Sequence, residues 1–107
     1  MDGVAYLVQK LYSNDSIGQK IPIGETKQEI YVSTGSINRN EWFNAGRNGM
    51  NPEILLTTAA VNYSGEEYIE YDGVRYGIYR TYQKKDSDEI ELYLHKKGGV
   101  NGTKYKN

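Results

Sequence analysis

The sequence predicts a mainly β protein, a small antiparallel β-barrel or sandwich of about six strands with one short helix. Three observations lead there. Asp72-Gly73 lies between two runs rich in Tyr, Ile and Val, and this dipeptide favours the tight primed turn of a hairpin. On either side of it apolar and polar residues alternate, as they do along a strand with one buried face. Tyrosine dominates the aromatic residues, with 11 copies against 1 Phe and 1 Trp. Its ring packs while its hydroxyl stays hydrated, which suits strands with a wet side and also suits interfaces.

The stretch 66–95 carries the clearest signals. A two-residue turn at Asp72-Gly73 sets Tyr71 opposite Val74, Glu70 opposite Arg75, Ile69 opposite Tyr76 and Glu67 opposite Ile78. Ile69, Tyr71, Val74, Tyr76 and Ile78 then share one face, while Tyr68, Glu70, Arg75 and Tyr79 occupy the other. After a charged turn over 84–88, Ile90, Leu92 and Leu94 alternate with Glu91, Tyr93 and His95. A three-stranded meander with one apolar face follows. Glu66 and Glu70 are expected on its solvent side.

Upstream, residues 4–12 read as a first strand and 13–18 as a polar turn. Residues 19–24 read as an extended arm through Ile21-Pro22-Ile23; Pro22 has no amide donor, so the arm is an edge or a loop. Residues 26–35 read as a second main strand. The helix is expected within 36–49, capped by Asn38 with Glu41 as its capping-box partner and stopped by Gly46 and Gly49. Trp42 and Phe43 are adjacent and point about 100° apart on a helix, so a core can take only part of the pair. The helix either plugs one end of a barrel or turns an aromatic ring, with Arg39 and Arg47, toward a partner. Residues 53–61 leave neither face polar, so this strand is covered twice within the domain or by a neighbouring subunit. One domain is expected over 1–97 and a flexible tail over 98–107, where periodicity gives way to glycine and lysine.

Composition narrows the function classes. With 107 residues the chain can bury a core without staples, and with no Cys it has neither disulfides nor thiolate metal sites. That agrees with a reducing compartment. No stretch approaches the roughly 20 apolar residues of a membrane helix, and the N-terminus carries no signal-peptide pattern. The three glycosylation-type sequons, at Asn14, Asn62 and Asn101, are therefore read as coincidental. A net charge of −1 and a pI near 5.8 lack the basic footprint of a phosphate-binding protein.

The residues offer little to catalysis. His95 is the only histidine and has no cysteine to pair with, and nothing around Ser64 resembles a nucleophile elbow. Asp86, Asp88 and Glu89 lack the spacing and the glycine of a calcium loop, and the glycines at 98–102 lack a phosphate loop's Gly-Lys-Ser/Thr ending. No enzyme, no metal and no cofactor is expected. A competing reading is a single-stranded nucleic-acid-binding barrel, with Tyr68, Tyr79 and Tyr82 interleaved with Arg75 and Arg80 as a stacking platform. The carboxylates of Glu66, Glu67 and Glu70 in the same region oppose it.

The order of features also resembles a known family. The run GSINRNEWFNAGRNGMNP at 35–52 is followed by YSGE at 63–66, EYDGVRY at 70–76, YRTY at 79–82 and DEIELY at 88–93. Over residues 6–99 this succession is similar to the head–tail joining, or head closure (connector, stopper), proteins of tailed bacteriophages that infect Gram-positive hosts. The resemblance implies a non-enzymatic virion protein forming a homo-oligomeric ring in the neck between head and tail, and present in the host cytoplasm during assembly. Its partners would be the portal or adaptor ring and tail proteins, with passive contact to packaged double-stranded DNA and none to membrane. A tail-completion or adaptor protein of the same neck is the near alternative. The segment 38–51 is the candidate channel-facing or partner-contact element, with Arg39, Trp42, Phe43, Arg47, Asn48 and Met50 as its contact residues. Ile54, Leu56, Tyr68 and Tyr79 are the candidate subunit-interface residues.

Overall fold

In the computed structural model, which describes residues 2–96, six antiparallel strands form one sheet that closes on itself in the order β1-β2-β3-β6-β5-β4. The strands are β1 (Asp2–Asn14), β2 (Lys20–Gly35), β3 (Pro52–Ala59), β4 (Tyr68–Tyr71), β5 (Val74–Tyr82) and β6 (Glu89–Lys96). One α-helix, α1 (Arg39–Arg47), bridges β2 and β3, and a single 3-10 turn (Ala60–Asn62) follows β3. The mainly β architecture with one short helix is the one the sequence predicts. The tail assigned to 98–107 lies outside the described residues.

The meander forms in the expected register. Asp72 and Gly73 take φ of 54° and 78°, the left-handed pair that a primed turn requires. Tyr71 pairs with Val74, Glu70 with Arg75 and Ile69 with Tyr76. The ladder continues past β4, where the Ile78 amide donates to the Glu67 carbonyl at 2.9 Å. Alternation then sends Ile69, Ile90, Leu92 and Leu94 into a core completed by Ala5, Leu7, Ile30, Val32 and Leu56. Ala60 and Tyr63 pack on this core from the β3–β4 connection, while Ile54, Tyr71, Tyr76 and Ile78 pack on it from the strands.

Residues 20–24 are not a separate arm. They are the outer part of one continuous β2, because β1 runs on to Asn14 and pairs with it as far as Lys20. The proline is accommodated where the register shifts between Leu11 and Tyr12, with Pro22 opposite Tyr12 and, among the described residues, no further strand beside it. Asp15 fixes the tip, its Oδ1 accepting from the amides of Ile17 and Gln19 at 2.9 and 2.8 Å.

β3 is shorter than the apolar run that suggested it. Val61 falls in the 3-10 turn and is exposed. Within β3, Leu56 and Thr58 are buried on the core side, while Leu55 faces outward beside its cross-strand partner Tyr93 and against Gly35. The outer face is thus only partly covered within the domain, with Leu55 and Thr57 half-buried and Glu53 and Ala59 exposed. The β2–β3 seam is the shortest ladder of the ring, three pairs from Ser33–Thr57 to Gly35–Leu55. Thr58 extends it with a side chain: its hydroxyl donates to the Tyr31 carbonyl at 2.8 Å and accepts from the side-chain Nδ2 of Asn62 at 2.9 Å.

Glu66 is buried, against the expectation of a solvent-side residue. Its Oε1 accepts from the Ser64 amide at 2.8 Å, and its carbonyl accepts from the Tyr63 hydroxyl at 2.9 Å. The carboxylate turns back to satisfy the chain reversal before β4.

Leu92 is fully buried, and Leu92→Ala is expected to cost about 2–5 kcal/mol through lost transfer energy and the cavity left behind. Gly77→Ala should destabilise by roughly 1–3 kcal/mol, because the new methyl would sit 2.6 Å from His95 Nε2 and displace that ring. Equilibrium urea unfolding measures both.

Candidate functional site

Helix α1 and the strands beneath it hold most of the residues singled out from the sequence. Asn38 is the N-cap, with its Oδ1 accepting from the Glu41 amide at 2.7 Å. At the other end Gly49 takes φ 78°, the Met50 amide donates to the Ala45 carbonyl and the Gly49 amide to the Gly46 carbonyl. This is a Schellman ending. Gly46 therefore lies inside the helix, and only Gly49 acts as the stop.

The helix does not plug the sheet. None of its residues belongs to the core cluster; its one buried residue, Ala45, packs on the flank. Glu41 lies one turn before Ala45 on the same face, and its carboxylate is the main polar tether. Tyr79 hydroxyl donates to Glu41 Oε2 at 2.7 Å, and Arg80 donates from Nη2 to Oε1 at 2.7 Å and from Nε to Oε2 at 3.3 Å. Both donors come from the bulge of β5, where the register against β6 shifts between Ile78 and Arg80. The Arg80 guanidinium lies 4.1 Å over the Tyr93 ring, and Tyr79 meets His95 edge to face at 5.9 Å. The capping box is thus only half formed, with the Glu41 side chain committed to the sheet.

Burial alone would push the Glu41 carboxyl up, but the hydrogen bonds from Arg80 and Tyr79 and the Arg80 charge outweigh it and hold the group below the usual carboxylate range. Burial and the bond to Glu41 push the Tyr79 hydroxyl far up, so it keeps its proton. At neutral pH the cluster is a fixed carboxylate between a fixed phenol and a fixed guanidinium. It positions the helix.

Asn48, Met50 and Tyr79 line a cleft of about 600 Å³ together with Glu41 and Arg80. Arg39, Trp42 and Phe43 gather on another face of the helix around Ile37. There the two rings stack edge to face at 6.1 Å and are 54% and 58% exposed, so the core takes neither of them. Arg47 is exposed in the last turn. The four residues chosen as a subunit interface are not one surface. Leu56 is fully buried in the core and has nothing to offer a neighbour, and Ile54 packs on that core. Tyr79 is spent on Glu41, and Tyr68 lies under the Lys10 ammonium at 4.8 Å.

Both arginines of the stacking platform are engaged by carboxylates. Arg80 is bound by Glu41, and Arg75 is bound by Glu25 at 2.6 Å and Glu70 at 2.7 Å. A second exposed apolar surface lies at the tip of the β1–β2 hairpin, on the stretch read from the sequence as an extended arm, where Ile17 and Ile23 are 75% and 64% exposed and Leu11, Tyr12 and Ile21 stand beside them. The signal was present in Ile21-Pro22-Ile23, an apolar run with no polar alternation to bury it.

Among the described residues no group of three or more His, Asp or Glu side chains is placed to hold a metal ion, and no helix is long and apolar enough to cross a membrane. The chain matches no protein-family model and no curated protein.

Glu41→Ala should loosen α1 at a cost of roughly 1–2 kcal/mol, the value of charge-assisted hydrogen bonds discounted for the half-exposed Arg80. Trp42, the only tryptophan, reports this as lower fluorescence anisotropy. The pH sign follows from the lowered Glu41 pKa. Its contribution is complete above the unfolded carboxylate pKa and is lost as pH falls through the folded one. Acidification below the usual carboxylate range should therefore mobilise Trp42 in the native chain, and a Glu41→Ala chain should lack that step.

Proposed function

We propose that this chain is a non-enzymatic structural subunit of the neck of a tailed-phage particle. In this reading it forms a ring between portal and tail, closes the filled head and offers the tail a docking surface. The observation that carries the reading is the pair of exposed apolar surfaces on different elements. One is the hairpin tip around Ile17, Ile21 and Ile23; the other is the Trp42–Phe43 pair on α1. A ring is built from head-to-tail contacts, and these need two dissimilar patches on every subunit. The sequence resemblance over 6–99 supplies the setting.

Roles divide naturally between the elements. The hairpin, projecting from the closed sheet, reaches a neighbouring ring or subunit. Helix α1 and the loop behind it, held by one carboxylate and one small buried side chain, form the element facing the channel or a partner. A net charge of −1 suits a conduit, because a strongly basic lumen would grip DNA that must later leave.

Particles assembled without the chain should lose packaged DNA and fail to accept tails; full heads with normal tails would end the proposal. Within it, Trp42→Ser with Phe43→Ser should change stability by no more than about 0.5 kcal/mol, since both rings are exposed, yet abolish ring formation on portal-bearing heads. Electron microscopy of the purified heads reads the ring directly.

A further inference from the structure

We propose that the Arg75–Glu25 ion pair is a latch that sets the direction of the β1–β2 hairpin relative to the closed sheet. The inference rests on geometry alone and holds whatever the hairpin contacts.

Backbone pairing anchors only the root of this hairpin. β1 pairs with β4 from Ala5 to Val8, and β2 pairs with β3 from Ser33 to Gly35. Beyond Val8 on one strand and before Ser33 on the other, the two strands have only each other as ladder partners among the described residues. The outer hairpin is therefore a cantilever. Between its root and the chain entering β4 lies a cavity of about 170 Å³, lined by Gln9 and Lys10 on one side and by Gly65 and Glu67 on the other. The register shift at Leu11/Tyr12 adds a bend further out. Open space beside a bulged two-stranded ribbon is room to swing.

What holds it is a diagonal of charges. Arg75 on β5 donates to Glu25 from both terminal nitrogens, at 3.2 and 2.6 Å, and to Glu70 from Nε and Nη2, at 3.1 and 2.7 Å. Lys27 crosses β1 to reach Glu70 at 3.0 Å, and Lys10 caps the Tyr68 ring. Of these, Glu25 is the carboxylate that stands beyond the paired root, opposite Lys10. A planar fork gripping it in two places fixes angle as well as distance. The arginine and its two carboxylates are about one-third exposed, so the latch is open to added salt. Releasing it would redirect Ile17, Ile21 and Ile23 without disturbing the core.

The chain has no cysteine, so Gln19→Cys at the tip and Lys84→Cys on the β5–β6 turn place two spin labels without background. The unsubstituted latch should give one narrow distance distribution. Glu25→Gln, which leaves Arg75 on Glu70, should widen or shift it, and so should about 1 M NaCl, where the screening length falls to roughly 3 Å. Arg80→Gln, which cuts the α1 tether instead, should leave it narrow. An unchanged distribution in Glu25→Gln, or equal widening in Arg80→Gln, overturns the latch. Should Glu25→Gln fail to fold, the salt series on the labelled native sequence decides: no widening overturns it.

Discussion

Four residues of β1, Ala5 to Val8, are paired on both sides at once, with β2 at one edge and β4 at the other. The closed sheet depends on this double pairing. It joins the N-terminal hairpin directly to the C-terminal meander, and without it the ring would open into a six-stranded sheet in which only the short β2–β3 seam held the hairpin to the rest. It also fixes which way β1 faces, since a slip of one residue would exchange Ala5 and Leu7 for Tyr6 and Val8 in the core. The far end of the ring is closed more lightly, by three backbone pairs and the Thr58 hydroxyl on the Tyr31 carbonyl. Thr58 and Asn62 do there what a longer ladder does elsewhere: they pair polar groups that would otherwise be buried without partners.

Because β1 and β2 are much longer than the four-residue β4, the double pairing cannot use all of their length. The surplus becomes the projecting hairpin, and its apolar side chains have no sheet to bury them. Lys27, Glu70, Arg75 and Glu25 sit where the paired and unpaired lengths meet. At that junction side-chain charge takes over from backbone hydrogen bonds as the positioning force. Helix α1 follows the same logic on the other side of the molecule's sequence. It too is attached by a carboxylate held by an arginine, with only Ala45 buried, because its large apolar residues point away from the sheet.

Local chemistry made much of the sheet readable. Asp72-Gly73, the alternation through Ile90, Leu92 and Leu94, and the Asn38 cap each act within a few residues, and each is where it was expected. Pairings between distant segments were not readable. The continuity of β2 through Pro22 depends on β1 being long enough to accompany it, which no feature of 19–24 reveals. Glu41 satisfied a local capping rule, yet its carboxylate belongs to Tyr79 and Arg80, 38 and 39 positions away. In β3 both faces are apolar, so composition could not say whether Ile54 and Leu56 or Leu55 looked inward; cross-strand register decided it and put Leu56 in the core. The exposed pair at Trp42 and Phe43 follows from the same kind of distant choice, since Glu41 and Ala45 claimed the inner face of the helix.

Both apolar surfaces thus lie on stretches that contribute no residue to the core cluster. A substitution at Ile17 or Phe43 leaves the nine buried residues of the core cluster untouched. The converse holds as well, since changes within the core leave both surfaces exposed as long as the sheet closes. Exposed surfaces carried this way can vary independently of the fold that presents them. They are also tethered separately, the hairpin by the ion pair to Arg75 and the helix by the ion pair to Arg80, two guanidinium groups on the same strand, β5, that share no carboxylate. β5 is consequently the strand on which the placement of both surfaces converges, although it contributes neither of them.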